Sequence, residues 1–226
     1  MRKIGMVAAV EIDAVKKKYK NLVEVPRDGG FEIYHYTEDN VDLYVLHSGV
    51  GEISAATATQ LLISKYNVEL ILNFGVVGGL TERMNDVRLC VVEKAVHYQF
   101  DTSELDHCPV GQYVGEYPDV YMPATPELVA KALEVKPSLE KVICASADKF
   151  VGSAEEKYSL YERFGAEICE MEAAAIIKTA NRNEIPCLLI KMVADSLHGG
   201  ADEFASAFEE SSDRCLSVLD AVIQEL

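Results

Sequence analysis

Residues 166–175 read Ala166-Glu167-Ile168-Cys169-Glu170-Met171-Glu172-Ala173-Ala174-Ala175, and the pattern changes inside them. Ile168 and Cys169 have the apolar character of the end of a short buried strand. From Met171 onward, Ala173, Ala174, Ala175, Ile176 and Ile177 are mostly helix formers with an apolar face. The stretch therefore predicts a strand running into a helix that reaches about Asn181. Glu170 and Glu172 fall at the junction, where unpaired N–H groups and the field of a helix start favour anions. Carboxylates there serve either as helix-start residues on a solvated surface or as partly buried acids that need a partner. The apolar flanks argue against an open face, and a bound hydroxyl would be a suitable partner.

Outward from this junction the same alternation repeats. Downstream, Pro186 breaks the chain, residues 187–193 read as a buried strand ending in Ala194-Asp195-Ser196, and residues 204–223 as a closing helix. Upstream, residues 142–145 form a strand leading into Ser146-Ala147-Asp148-Lys149-Phe150-Val151-Gly152, followed by an amphipathic helix over 155–164. Thr125 caps a helix with Pro126 in its first position. Residues 98–123 are a long irregular segment rich in aromatics, of the kind that usually serves as a lid or an interface. Residues 87–96 and 69–74 are strands. The second is followed by Gly75, Gly78 and Gly79, which imply positive φ or the close approach of another group. Ser48-Gly49-Val50-Gly51 joins a strand over 41–47 to a helix over 53–66, and Asp39-Asn40 marks a hairpin with a strand over 31–36. Arg27-Asp28-Gly29-Gly30 is a turn. At the N-terminus an apolar strand over 3–10 ends in Glu11-Ile12-Asp13 before a helix over 14–20. Strands alternating with helices, and no linker or repeat, predict one α/β domain over 1–226 with a mixed, twisted central sheet flanked by helices.

Composition narrows the function classes. Of 226 residues, 21 are Lys or Arg and 37 Asp or Glu, a net charge of −16. Such a surface disfavours nucleic acid and anionic membranes as partners. No apolar run reaches the ~20 residues of a membrane span, and the N-terminal apolar run is too short for a signal peptide. The six cysteines contain no C-x-x-C pair and the five histidines no ligand spacing, so no metal site is expected. Buried free thiols fit a reducing cytoplasm.

Acids at three predicted strand ends, Asp13, Glu172 and Asp195, and glycine turns near residues 49 and 78 mark a single site. Six blocks in order carry a resemblance: 3–13, Ser48-Gly49-Val50-Gly51, Asn73-Phe74-Gly75 with Gly78-Gly79-Leu80, Ser146-Ala147-Asp148-Lys149-Phe150, Glu170-Met171-Glu172-Ala173, and Asp195. Together they resemble the purine nucleoside phosphorylase/nucleosidase superfamily, on its 5′-methylthioadenosine/S-adenosylhomocysteine nucleosidase branch. The resemblance implies a homodimeric N-glycosyl hydrolase of purine nucleosides that uses no cofactor. It implies Asp195 as the acid that protonates the leaving purine and Glu172 as the carboxylate on the ribose hydroxyls. Met171 would lie beneath the sugar, Phe150 stack on the purine and the Val151 backbone read the base edge.

At the acceptor the chain departs from its relatives. Phosphorylases place Arg and Ser on phosphate where this chain has Asn73 and Val76, so water is the expected acceptor. Nucleosidases usually have Glu at Asp13, Ser at Val76, Arg at Lys191, and in many cases Ser at Ala194. Asp is one methylene shorter than Glu, and Lys is a point charge where Arg is a fork. Either Asp13 reaches the water with a shifted backbone, or neighbouring Glu11 takes over, or turnover is low. A phosphorylase and a low-turnover nucleoside-binding protein are the competing readings.

Overall fold

The computed structural model describes residues 1–38 and 41–225. The Asp39-Asn40 hairpin turn lies outside the described residues, as does Leu226. The first third of the chain forms β1 (Arg2–Ala8), α1 (Ile12–Lys18), β2 (Leu22–Glu24), β3 (Arg27–Asp28), β4 (Phe31–Glu38), β5 (Val41–His47), α2 (Glu52–Tyr66) and β6 (Leu70–Gly79). It continues with α3 (Arg83–Asp86), β7 (Leu89–His97), α4 (Ser103–Asp106), β8 (Met122–Pro123), α5 (Pro126–Val135) and β9 (Glu140–Ser146). The last third is α6 (Ala154–Phe164), β10 (Ile168–Glu170), α7 (Ala173–Arg182), β11 (Cys187–Asp195) and α8 (Ala201–Ile223).

All the strands belong to one mixed sheet, ordered β10-β9-β7-β11-β6-β1-β5-β4-β2 along its main path. At its centre β11, β6, β1 and β5 run parallel. Every residue of β6 and of β11 is buried, as a sheet covered on both faces requires, which is why these strands read as unbroken apolar runs and not as alternating ones. The β4–β5 arm is an antiparallel extension. At the other end the sheet curls back: β10 pairs with β9 and also, antiparallel, with β6 through Ile168↔Gly79 and Cys169↔Gly78. Strands β6, β11, β7, β9 and β10 thus close into a ring.

Two expectations from the sequence are corrected. The strand expected to end at Phe74 runs on to Gly79, so Gly75, Gly78 and Gly79 are strand residues and not a turn. None of these three has positive φ; they are small because other groups come close. A Cβ on Gly78 would lie 3.1 Å from Cys169 Sγ and 3.2 Å from Asp195 Oδ1, and one on Gly79 3.1 Å from the Met84 Cβ. Thr125 precedes α5, and Pro126 opens that helix, but the Thr125 hydroxyl makes no capping bond. It accepts instead from the Cys187 backbone N–H at 2.9 Å, tying the loop to the start of β11. Residues 98–123 are irregular as read, apart from the one turn of α4 and the short β8.

Candidate active site

The carboxyl ends of the central strands open onto a cavity of about 300 Å³. Its walls come from the turn after β1 (Ala9, Val10, Glu11), from β6 (Val76, Val77, Gly78) and from Lys149-Phe150-Val151 after β9. Val50 from the turn before α2, Cys169, Glu170, Met171 and Glu172, Asp195 at the end of β11, and Phe204 on α8 complete it. In parallel sheets this edge is where ligands bind, because strand ends and helix starts converge there.

The quoted junction builds one side. Glu170 ends β10 and turns inward, where its Oε1 and Oε2 accept the Ala173 N–H at 3.0 Å and Oε2 accepts that of Glu172 at 3.1 Å. It is therefore the acid that satisfies the start of α7. Burial works against its charge, yet the Lys191 ammonium 3.0 Å from Oε2 and the Ala173 N–H hold it below the ordinary glutamate value. Glu172 is then free to face the cavity. Its Oε1 accepts the Gly51 N–H at 2.9 Å, so the glycine turn before α2 holds this carboxyl group in place. Gly51 has φ 103°, and a Cβ there would lie 2.8 Å from Asp148 Oδ1, so a larger residue would be both strained and crowded. Burial, then the neighbouring Glu170 charge, push Glu172 up to about 8.

Behind this wall lies a second buried carboxyl group. Glu52, the first residue of α2, accepts the Ala175 N–H at 2.6 Å and the Ser146 hydroxyl at 2.5 Å, and that hydroxyl accepts the Ala174 N–H at 3.0 Å. Burial first, then Glu170, push Glu52 up to about 8.

On the opposite side the N-terminal acids separate. Asp13 was expected in the site, but its side chain is 95% exposed and, among the described residues, meets only Lys16, one turn along α1. The reason is helical phase: Ile12 begins α1 with its side chain buried, which turns the next residue to solvent. Glu11 takes the inward position with 4% exposure. Its Oε1 accepts the Val76 N–H and its Oε2 the Val10 N–H, both at 3.0 Å. A Cβ on Gly75 would lie 2.9 Å from Glu11 Oε1 and 3.5 Å from Lys191 Nζ, so that glycine makes room for both groups.

Lys191 was expected to touch a ligand. It does not line the cavity but lies behind it in β11, 2% exposed, bonded to Glu170. Burial opposes its charge, and the surrounding carboxylates of Glu170, Glu172 and Glu11 raise its pKa in spite of that. Val76, Val151, Met171 and Phe150, expected to contact substrate, all line the cavity. Phe150 is 46% exposed at the mouth and meets Phe204 edge-on, with ring centroids 5.7 Å apart.

Asp195 reaches the cavity through a register shift between Val193 and Asp195 against β6, a bulge that re-aims the last side chain of β11. Burial raises its pKa and the Lys157 ammonium, bonded to Oδ2, opposes that rise. Sequence reasoning gave no role to Lys157 or Phe204, and Lys149 entered only as part of the block over 146–150. Only a lysine on the inner face of α6 could have signalled the first, and nothing local signals Phe204.

The family profile of the phosphorylase superfamily matches residues 3–226. A curated 5′-methylthioadenosine/S-adenosylhomocysteine nucleosidase of Haemophilus ducreyi is 30% identical over 231 residues, covering 96% of this chain and 97% of the relative. The enzyme of the same name from Staphylococcus aureus strain MRSA252 is 26% identical over 230 residues, covering 99% and 100%. Among solved structures, the futalosine hydrolase of Helicobacter pylori superposes with a TM-score of 0.93 at 25% identity, covering 100% of this chain and 98% of that one. The Helicobacter pylori 5′-methylthioadenosine/S-adenosylhomocysteine nucleosidase with butyl-thio-DADMe-Immucillin-A gives the same score and identity, covering 100% and 99%.

Proposed function

Because the chain belongs to the phosphorylase superfamily, we propose that its cavity hydrolyses the N-glycosidic bond of purine nucleosides of the 5′-methylthioadenosine and S-adenosylhomocysteine type. It is an N-glycosyl hydrolase that releases adenine and the ribose moiety, without a cofactor. The observation that carries the choice of water over phosphate is the place of Glu11. The Val76 and Val10 N–H groups, which an acceptor anion would need, are already bonded to its carboxyl group. The Val76 side chain offers no donor, and Lys191 is committed to Glu170. A phosphate would meet carboxyl groups and an apolar wall, whereas a water can donate to Glu11.

Breaking the bond places positive charge on the ribose and negative charge on the base. Glu172 faces the sugar: the ribose hydroxyls donate to it and favour its carboxylate form, whose charge stabilises the cationic transition state. Met171 packs beneath the sugar, Phe150 covers the base with Phe204 at its edge, and the Val151 backbone reads the base. Asp195 protonates the leaving base, a contribution of ~10²–10⁴-fold. Glu11 takes the proton of the attacking water. Asp13 plays no part, and Lys191 acts only through Glu170.

The working unit is a homodimer over the single domain 1–226. Support comes from a groove of about 750 Å³ between α2 and α7, lined by Ile53, Ala56, Leu61, Tyr113 and Ala174. Six free cysteines, five of them buried, fit the cytoplasm. Among the described residues no helix is long and apolar enough to cross a membrane.

The test is a panel of 5′-methylthioadenosine, S-adenosylhomocysteine, futalosine and inosine, with and without phosphate, on the parent and Asp195→Asn proteins. Release of adenine from the first two without phosphate is expected, and turnover in the variant should fall at least ~10²-fold. Release that depends strictly on phosphate, or an undiminished variant, would overturn the reading.

A further inference from the structure

One buried cation has no part in the chemistry above. Lys157 lies on α6, and its side chain is 0% exposed. Lysine is almost never fully buried without a partner. Its Nζ donates to Asp195 Oδ2 and, at 2.6 Å, to the Ser196 carbonyl oxygen. It does not line the cavity, whereas Asp195 does. Among the described residues, the second oxygen, Asp195 Oδ1, is buried without a hydrogen-bond partner. It lies 3.2 Å from the Cβ position of Gly78, a cavity-lining residue. The carboxyl group is thus divided: one oxygen is held by an ammonium from behind, and the other is left unpaired on the side where a ligand enters. An orphaned buried oxygen is costly, and a ligand group that pairs with it relieves that cost.

We propose that Lys157 is the positioning residue of the acid: by occupying Oδ2 it confines the transferable proton to Oδ1, and it stabilises the carboxylate that remains once the proton has left. This rests on the reading of Asp195 as the acid. An ammonium has only donors and carries positive charge, so a proton is disfavoured on Oδ2 beside it and favoured on the unpaired Oδ1. When the C–N bond breaks, its electron pair goes to the base, and the Oδ1 proton goes to a nitrogen of the base. Asp195 is left as a carboxylate paired with Lys157. Water gives its hydroxyl to the ribose carbon and its proton to Glu11, and solvent exchange restores both acids.

The pair also sets the pH range of the acid. Asp195 faces Lys157 from α6, Cys169 from β10 and Glu203 from α8, and Glu203 is itself bonded to Arg88 at 2.9 Å. Burial pushes the Cys169 thiol up to about 12, so it stays neutral. Lys157 is therefore the cation that counters burial and Glu203 at this acid. Without it the acid would bind its proton more tightly. A general acid is active while protonated, so the alkaline limb of kcat/KM would move to higher pH. The rate on the low-pH plateau would fall, because a more weakly acidic group transfers its proton less readily.

The experiment compares the parent with Lys157→Met, which removes the charge, and Lys157→Gln, which removes the charge but keeps a donor to Oδ2 and so preserves the fold should the Met variant fail. Two substrates are used: 5′-methylthioadenosine, and a nitrophenyl riboside, whose leaving group departs without protonation. The alkaline limb on methylthioadenosine should rise by about one to three pH units, as expected for loss of a neighbouring opposite charge. Plateau turnover should fall about tenfold or more, while riboside cleavage stays within about threefold of the parent. Equal losses on both substrates, or an unmoved limb, would overturn the proposal and leave Lys157 as a strut between α6 and β11. Asp195→Asn in the same series separates the two failures. If it cleaves methylthioadenosine at the parent rate, the acid itself is misassigned; if it is impaired while the Lys157 variants show no limb shift, only the role of Lys157 is.

Discussion

Glu11 Oε1 accepts the backbone N–H of Val76 at 3.0 Å, although 65 positions separate the two residues. This bond fixes the turn after β1 against β6 and aims a carboxyl group at the cavity, while Asp13, two residues on, is turned to solvent. Glu11→Gln should therefore lower hydrolysis of 5′-methylthioadenosine by about 10²-fold or more, because an amide cannot take a proton from water. Asp13→Asn should stay within about twofold, as surface changes away from special features do. Steady-state kinetics of both variants check this, and the reverse ranking would return the water site to Asp13.

Glu172 meets the sugar and Glu170 meets the helix start, so neighbouring acids should fail differently. Glu172→Gln keeps the shape and a hydrogen bond but loses the charge that forms against the ribose. We expect kcat to drop by at least ~10²-fold with adenine affinity little changed, the pattern of a contact made in the transition state. Glu170→Gln would leave the buried Lys191 without its anion and should instead unfold the protein at lower temperature, a loss of roughly 3–5 kcal/mol for a broken buried pair. Thermal melting beside single-turnover kinetics distinguishes them; equal falls in rate and binding for Glu172→Gln would make it a structural acid.

Glu52 gives a pH-dependent prediction. Its ordinary value is 4.5 and the fold pushes it up to about 8, mainly by burial. Between those values the folded chain holds a proton that the unfolded chain has lost, so stability declines as pH rises from about 4.5 to about 8. Gln reproduces the protonated acid: its amide N–H can donate to the Ser146 hydroxyl and its oxygen can accept from Ala175. Glu52→Gln should therefore raise the Tm by several degrees at pH ~8 and by little at pH ~5, since about 1 kcal/mol is worth ~2–4 °C in a chain of this size. A variant with the same pH slope as the parent would count against the shift.

The fold was legible in local patterns, and the residues of the site partly in those patterns and partly through the family resemblance. Unbroken apolar runs announce strands covered on both faces, and the strand-to-helix switch at Glu170 locates one wall of the cavity. Asp195, Glu172, Phe150, Val151, Met171 and Val76 all reach that cavity. What was not legible depends on rotation and distance. Whether Glu11 or Asp13 points inward is decided by where α1 begins, a matter of one residue of helical phase. Lys191 reads as a ligand contact until its height behind Glu170 is known. Gly75 to Gly79 read as a turn because sequence shows that something comes close, but not that the approaching groups are Glu11, Cys169 and Asp195.

The groove between α2 and α7 yields a prediction about assembly. Ile53 on its rim is 80% exposed, an unusual place for a large apolar side chain unless another surface covers it. Light scattering at micromolar concentration should give the mass of a dimer for the parent and of a monomer for Ile53→Glu. A monomeric parent would end the proposal of a dimer.

The ring of β6, β11, β7, β9 and β10 has a consequence for synthesis. β11 is inserted between β6 and β7, which are neighbours in sequence. As the ribosome makes the chain, β6 emerges able to pair with β1, but its other edge stays unclaimed until β10 and β11 follow, roughly a hundred residues later. At ~5–20 residues per second, that leaves a sticky edge unaccompanied for several seconds in a crowded cell. Nascent chains halted before β11 should thus clump or recruit holdases, whereas chains completed through α8 can close the ring and gain activity.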